Sequence, residues 1–89
     1  MDVLNANFEI SVDIINKLKK TPEDNELLDV YKYYKQSKFG DNNTEQPSMF
    51  NFKNTAKWNA WNSVKGIEKN AAMQHYINLS MELFTKYGS

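Results

Sequence analysis

An all-α fold built from four helices follows from three observations on the 89-residue chain. Four stretches place apolar residues at three- and four-residue intervals, none reads as an alternating strand, and glycine or proline marks the joins. Helices with apolar faces and no strands pack as a helical bundle. The length suffices for one domain, residues 1–89, with a modest core.

The first helix is expected from about Ala6 to Lys19, where Phe8, Val12, Ile15 and Leu18 share a face. Lys17, Lys19 and Lys20 gather near its end, where the helix dipole favours cations. "TPED" then reads as a helix start: Thr21 caps, Pro22 occupies the first helical position and Asp24 completes a capping-box spacing. Gly40 ends this second helix, with the positive-φ freedom that a C-terminal cap requires. From Asp41 to about Phe52 the period fails, and a long ordered loop is expected, pinned to the core by Met49, Phe50 and Phe52.

The third helix, about Lys53 to Lys65, carries Ala56, Trp58, Ala60, Trp61 and Val64, and Gly66 closes it. The fourth, about Glu68 to Lys86, carries a stripe of Met73, Tyr76, Ile77, Ser80, Leu83, Phe84 and Tyr87 behind a weakly marked N-cap. Met73 and Met81 are expected in the core with the two tryptophans. The loop before the third helix is long enough to cross the bundle, so simple up-down alternation is not forced.

The stretch "DVYKYYKQSKFGD", Asp29 to Asp41, gathers three tyrosines and three lysines into one helix. At about 100° per residue, Leu27, Leu28, Tyr31, Tyr34, Lys35 and Lys38 share a stripe of about 120°. Along the axis this stripe passes from apolar through aromatic to cationic. Two readings fit: core residues followed by a solvated end, or a groove for an amphiphile whose aromatic, anionic head meets the tyrosines and lysines. On the third helix Lys53, Lys57, Ala60, Trp61 and Val64 share a stripe, so Lys57 borders apolar surface. Were the two helices neighbours, Lys35 and Lys57 could face one phosphate.

Composition narrows the function. Eleven lysines balance eleven acids without any arginine, which disfavours a general nucleic-acid binder. The charge is uneven, however: residues 1–30 hold three lysines against seven acids, and residues 31–69 hold seven against three. A locally cationic middle suits a small anionic ligand. With no cysteine there is no thiolate nucleophile, disulfide framework or cysteine-ligated zinc site, which fits a reducing compartment. The acidic N-terminus has no basic region or long apolar run, and no window approaches a membrane span, so a cytoplasmic protein without an integral membrane segment is expected. The single histidine, His75, lacks a nucleophile partner, and no glycine-rich phosphate loop or metal-ligand cluster stands out, so no enzyme is expected.

Taken together, "YKYYKQSKFGD", Pro47, "KWNAW" and the "KG" at 65–66 resemble the signature of the acyl-CoA-binding protein (ACBP) family, over about Phe8 to Gly88. The resemblance implies an up-down-down-up four-helix bundle with a long loop between helices 2 and 3. It also implies non-covalent binding and transport of medium- to long-chain fatty acyl-CoA by a monomer, with no cofactor and no nucleic-acid partner. Tyr31, Tyr34, Lys35 and Lys57 would hold the adenine and 3′-phosphate, and Tyr76 would contact the nucleotide end. Leu27, Leu28 and Val12 would line the acyl path, with Asn16, Lys38 and Lys53 as further candidates. The chain departs from the family pattern at Asn16, often basic; at Asn54-Thr55, usually Gly-Lys; at Ser48, commonly Gly; and at Val12, usually smaller. Another reading of the Tyr/Lys face is a helical protein-interaction module for an acidic partner. Single-stranded nucleic acid is a third reading, opposed by the zero net charge.

Overall fold

A computed structural model describes residues 2–88 and contains α1 (Val3–Asn16), α2 (Asp24–Phe39), α3 (Phe52–Asn62) and α4 (Lys69–Tyr87), with no strand among the described residues. The all-α expectation holds. Helix α4 packs against both α1 and α2, and α3 packs against α2. The resulting slab measures 36 × 31 × 14 Å across its Cα atoms. None of these helices is long and apolar enough to cross a membrane.

Capping moves the helix ends away from where periodicity alone puts them. α1 begins three residues earlier than expected because the Asp2 carboxylate accepts a hydrogen bond from the Leu4 N–H at 3.0 Å. It stops at Asn16 rather than Lys19. The N–H groups of Lys19 and Lys20 donate instead to the Tyr87 carbonyl, at 3.0 and 3.2 Å, tying this connection to the end of α4. α2 starts at Asp24, not Pro22: Glu23 is its N-cap, and the Glu26 carboxylate reaches back to the Glu23 N–H at 2.9 Å. Pro22 is buried outside the helix and Thr21 is exposed.

Gly40 closes α2 at φ 76°, and Gly66 ends the turn after α3 at φ 95°, both in the left-handed region that a side chain disfavours. α3 ends at Asn62 instead of Lys65. Its final turn tightens, with Val64 and Lys65 donating three residues back to Trp61 and Asn62. At its start, the Asn51 side chain accepts from the Asn54 N–H at 3.2 Å.

The core sits where α4 crosses its neighbours. Ala72, Tyr76, Ser80 and Leu83, at intervals of three and four, are its buried face, with Phe8 and Ser11 from α1; Trp61 of α3, against Phe39 of α2, and Val64 are buried as well. Small side chains at Ser11, Ala72 and Ser80 allow close approach. Met81 and Phe84 of α4 are exposed, contrary to expectation. The sequence stripe was drawn too wide, since a face shared by two neighbouring helices still leaves its flanks in water.

The far end of α4 is held to the start of α2 by Glu26, which accepts from both the Lys86 ammonium and the Tyr87 hydroxyl. Lys86, then Tyr87 and the Glu23 N–H, pull the Glu26 carboxyl down from 4.5 to about 2. A carboxyl depressed on folding adds stability that is complete above its ordinary value and fades as pH falls towards its folded value. Denaturant midpoints of the wild type are therefore expected to drop between pH 4.5 and about 2 more steeply than those of Glu26→Gln. Parallel pH profiles for the two proteins would show that this junction contributes nothing.

Candidate functional site

Three aromatic rings from three helices form one cluster. Phe8 of α1 lies 5.0 Å from Tyr76 of α4 and 6.0 Å from Tyr34 of α2, and Tyr34 and Tyr76 are 6.2 Å apart, all between ring centroids. Phe8 and Tyr76 are buried, at 1% and 2% exposure. Tyr34 and Tyr76 also border a groove of about 790 Å³, a size suited to a small-molecule ligand. Val12, Ile15 and Asn16 of α1 form one wall. Leu27, Leu28, Val30, Tyr31 and Tyr34 of α2 form another, with Asp24 beside them. Phe52, Lys53, Ala56 and Lys57 of α3 complete it.

The groove is chemically two-ended. Its apolar part is supplied by α1 and the first turns of α2. Its cationic part forms where α2 meets α3: the Lys57 ammonium lies 5.4 Å from the Tyr31 ring centroid and that of Lys35 lies 5.8 Å from the same ring. Lys35 also sits 4.5 Å from the centroid of Phe39 and 4.9 Å from that of Trp61. Neither Lys35 nor Lys57 forms an ion pair among the described residues. Two cations held over one phenol ring are placed to meet an anion next to a stacking surface.

Backbone and side-chain bonds fix α3 against α2. The Trp61 indole N–H donates to the Gly40 carbonyl at 3.0 Å. Gln36, fully buried, donates through Nε2 to the Asp41 carboxylate at 2.9 Å and to the Ile67 carbonyl at 2.7 Å. Asp41 also accepts from the Gly66 N–H at 2.8 Å; that bond first, then Gln36, holds its carboxyl below the ordinary range. The loop is pinned by Trp58, whose indole N–H donates to Thr44 Oγ1 at 3.1 Å, and by buried Asn42, whose Nδ2 reaches the Trp58 carbonyl at 3.4 Å.

The loop's own hydrophobic residues do not pin it. Met49, Phe50 and Phe52 are 74%, 85% and 80% exposed, contrary to expectation. Indole donors need partners, and here Thr44 and the Gly40 carbonyl supply them, so polar bonds rather than apolar burial fix the loop. Phe52 instead borders the groove, as do Ile15, Ala56 and Val30, none of which had been assigned to a site.

Among the candidate residues, Val12, Asn16, Leu27, Leu28, Tyr31, Tyr34, Lys53, Lys57 and Tyr76 all line the groove. Lys35 stands beside it through its contact with Tyr31. Lys38 lies off the lining, pairing with Glu9 at 3.2 Å and sitting over Phe8. His75 is exposed and stacks on Tyr33 at 4.9 Å, also away from the groove. Among the described residues no three His, Cys, Asp or Glu side chains are grouped to hold a metal.

A family model described as acyl CoA binding protein matches residues 5–80. The acyl-CoA-binding protein homolog 1 of Caenorhabditis elegans is 40% identical over 86 residues, spanning 97% of this chain and 100% of that protein. The crystal structure of acyl-CoA-binding protein 2 from Oryza sativa superposes with a TM-score of 0.89 at 34% identity, over 93% of this chain and 92% of that one. That of ACBP from Moniliophthora perniciosa gives 0.86 at 38% identity, over 97% and 83%.

In Tyr76 the ring and the hydroxyl contribute differently to stability. Burial, reinforced by Tyr34 and Glu9, pushes its hydroxyl up to about 12, and that hydroxyl has no hydrogen-bond partner among the described residues. Urea unfolding is expected to show Tyr76→Phe within about 0.5 kcal/mol of wild type, since only the unpartnered hydroxyl is lost. Tyr76→Ala should cost about 3–5 kcal/mol by removing a ring from the cluster.

Proposed function

Because the chain belongs to the acyl-CoA-binding protein family, we propose that it binds medium- to long-chain fatty acyl-CoA esters non-covalently in the α1–α2–α3 groove, buffering and transporting them. Tyr31, Tyr34, Lys35 and Lys57 take the adenine and 3′-phosphate, with Tyr76 at the nucleotide end. Leu27, Leu28 and Val12 line the acyl path, flanked by Ile15. The protein acts as a cytoplasmic monomer that carries the thioester unchanged; its family is one of binding proteins.

The observation that carries this reading is the meeting of Lys35 and Lys57, from two helices, over the single ring of Tyr31 at the border of an apolar groove. The chemistry of the ligand matches it. Adenine offers a flat face for the phenol, the 3′-phosphate offers a dianion for the ammonium groups, and the acyl chain offers apolar surface for the leucines. Lysine serves as a flexible point charge toward phosphate, so the absence of arginine is no obstacle.

Energetics require both ends. Burying a methylene is worth roughly 0.8 kcal/mol, so a chain of about 16 carbons supplies on the order of 12 kcal/mol at most. Association and ordering cost about 4–15 kcal/mol, leaving little for the chain alone. Stacking adds about 1–3 kcal/mol and each charge-assisted bond to phosphate about 1.5–3 kcal/mol. Asn16 and Thr55 are uncharged at positions where the family pattern the sequence resembles often has a basic residue, which concentrates the electrostatic task on Lys35, Lys53 and Lys57.

Calorimetric titration with palmitoyl-CoA below its micelle concentration, beside CoA and palmitate, should give one-to-one submicromolar binding of the ester alone. Tyr31→Ala and Lys57→Ala should each weaken that binding about tenfold or more while leaving melting nearly unchanged. An ester that gives no heat and displaces nothing would overturn the groove reading and leave the Tyr/Lys face as a protein-contact surface.

A further inference from the structure

Lys38 shares a helical stripe with the groove residues of α2, yet its ammonium points elsewhere. It stands one turn beyond Tyr34 and Lys35 and two turns beyond Tyr31. In the structure the ammonium reaches across to α1, where it pairs with Glu9 at 3.2 Å and sits 5.6 Å from the Phe8 ring centroid. Phe8 in turn lies 6.0 Å from Tyr34 and 5.0 Å from Tyr76, and both of these rings border the groove. A single ring separates the Lys38 ammonium from the groove's aromatic wall.

Two carboxylates bear on the groove, in different places. Asp24 lines it one turn before Leu27 and Leu28, on the apolar side. Glu9 acts on the aromatic side, where its charge helps to push up the Tyr76 hydroxyl. An anionic head group brought to Tyr34 and Tyr76 therefore meets Glu9 as a repulsive charge and Lys38 as the cation covering it. The pair is exposed, its side chains 38% and 63% accessible, so water screens it and exchanging one partner for another costs little. A dianionic phosphate offers the ammonium a stronger charge-assisted bond than a solvated carboxylate does. Lys35 and Lys38, three positions apart on one helix, also repel each other, and an anion between them removes that repulsion. The long, flexible lysine stem lets the ammonium swing without any movement of α2.

We propose that the Lys38–Glu9 pair is a displaceable latch: the phosphates of an acyl-CoA head group take the Lys38 ammonium from Glu9, which makes Lys38 a further binding cation with Lys35 and Lys57. Glu9 then sets a threshold. A ligand must carry enough negative charge to outcompete the carboxylate, so a nucleotide-bearing ester is favoured over an amphiphile with a single carboxylate. The exchange also unties α1 from α2 at this point, leaving the ring cluster as the remaining link. The latch rests on the acyl-CoA binding proposed above and gives Glu9 and Lys38 a specificity role within it.

The test is a double-mutant cycle on palmitoyl-CoA affinity, measured by calorimetry at low salt for the wild type, Glu9→Gln, Lys38→Met and the two combined. Methionine keeps an apolar stem beside Phe8 and removes the charge. All four proteins should share one circular dichroism spectrum and nearly one melting temperature, because the pair is exposed. Glu9→Gln should tighten binding about threefold or more, since Lys38 is then free to meet the head group. Lys38→Met should weaken the wild type about threefold and the Glu9→Gln protein about tenfold, since in the latter no broken ion pair offsets the lost contact. A pair that stays closed in the complex gives the opposite order. Lys38→Met then uncovers Glu9 and costs more in the wild type than in the Glu9→Gln protein. That order, or equal losses, overturns the latch and leaves the groove reading intact. Absence of palmitoyl-CoA binding in all four proteins removes the groove reading and the latch together.

Discussion

Among the described residues the backbones of α1 and α2 do not pack on each other; both lie on α4. They are joined across the gap by the ring cluster of Phe8, Tyr34 and Tyr76, with centroids 5.0–6.2 Å apart, and by the exposed Lys38–Glu9 pair. The groove depends on this arrangement. Helices packed directly would interdigitate their side chains and leave no ligand-sized space. Here α4, with Ala72 and Ser80 on its buried face, comes close to its neighbours and acts as a spacer, while the aromatic cluster links α1 to α2 without filling the space between them. Tyr34 and Tyr76 thus belong to the core and to the groove at once.

The second condition is the position of α3, which packs on α2 through a short hydrogen-bonded clamp. Trp61 to Gly40, Gln36 to Asp41 and Ile67, and Gly66 to Asp41 join the end of α2 to the end of α3. All of these bonds involve sequence positions next to a glycine with positive φ, where the chain reverses. The clamp sets the angle at which α3 leaves, and therefore where Lys57 arrives relative to Tyr31. Lys35, on the same turn of α2 as Gln36, is thereby placed against Trp61 and over the Tyr31 ring that Lys57 also approaches. Bonds at the turn and cations at the groove are two consequences of one local geometry.

The helices themselves were legible because their apolar periods are regular and Gly40 and Gly66 mark real chain reversals. Their ends were not, because apolar periodicity does not register caps: Asp2 and Glu23 cap α1 and α2 from neighbouring positions, and the distant Tyr87 carbonyl takes the N–H groups of Lys19 and Lys20 beyond the end of α1. The aromatic-cationic face of α2 was visible on a helical wheel through Tyr31, Tyr34 and Lys35. The wheel failed at Lys38, because a flexible lysine one turn further on found Glu9 of α1, a contact no single-helix projection contains. The loop was misjudged for a related reason. Periodicity weighs apolar residues and ignores donors, so it places Met49, Phe50 and Phe52 in the core, whereas the indoles of Trp58 and Trp61 and the amide of Asn42 hold the loop in place.

A groove lined with leucine, isoleucine, valine and tyrosine is apolar area that the fold leaves unburied. Leu27, at 38% exposure on the groove wall, shows the cost directly. A chain of 89 residues has little core to spare, so leaving such a surface open is a real sacrifice of stability. The sacrifice is offset in two ways. One is the tethering of both helix pairs at their ends, by Glu26 with Lys86 and Tyr87 on one side and by the Gln36–Asp41 clamp on the other. The other is mass action: a ligand that binds only the folded chain stabilises it in proportion to the logarithm of its occupancy ratio. On the proposed function, the apolar surface that makes the empty protein less stable is the surface offered to the ligand, and the end clamps let the groove stay open without the slab coming apart.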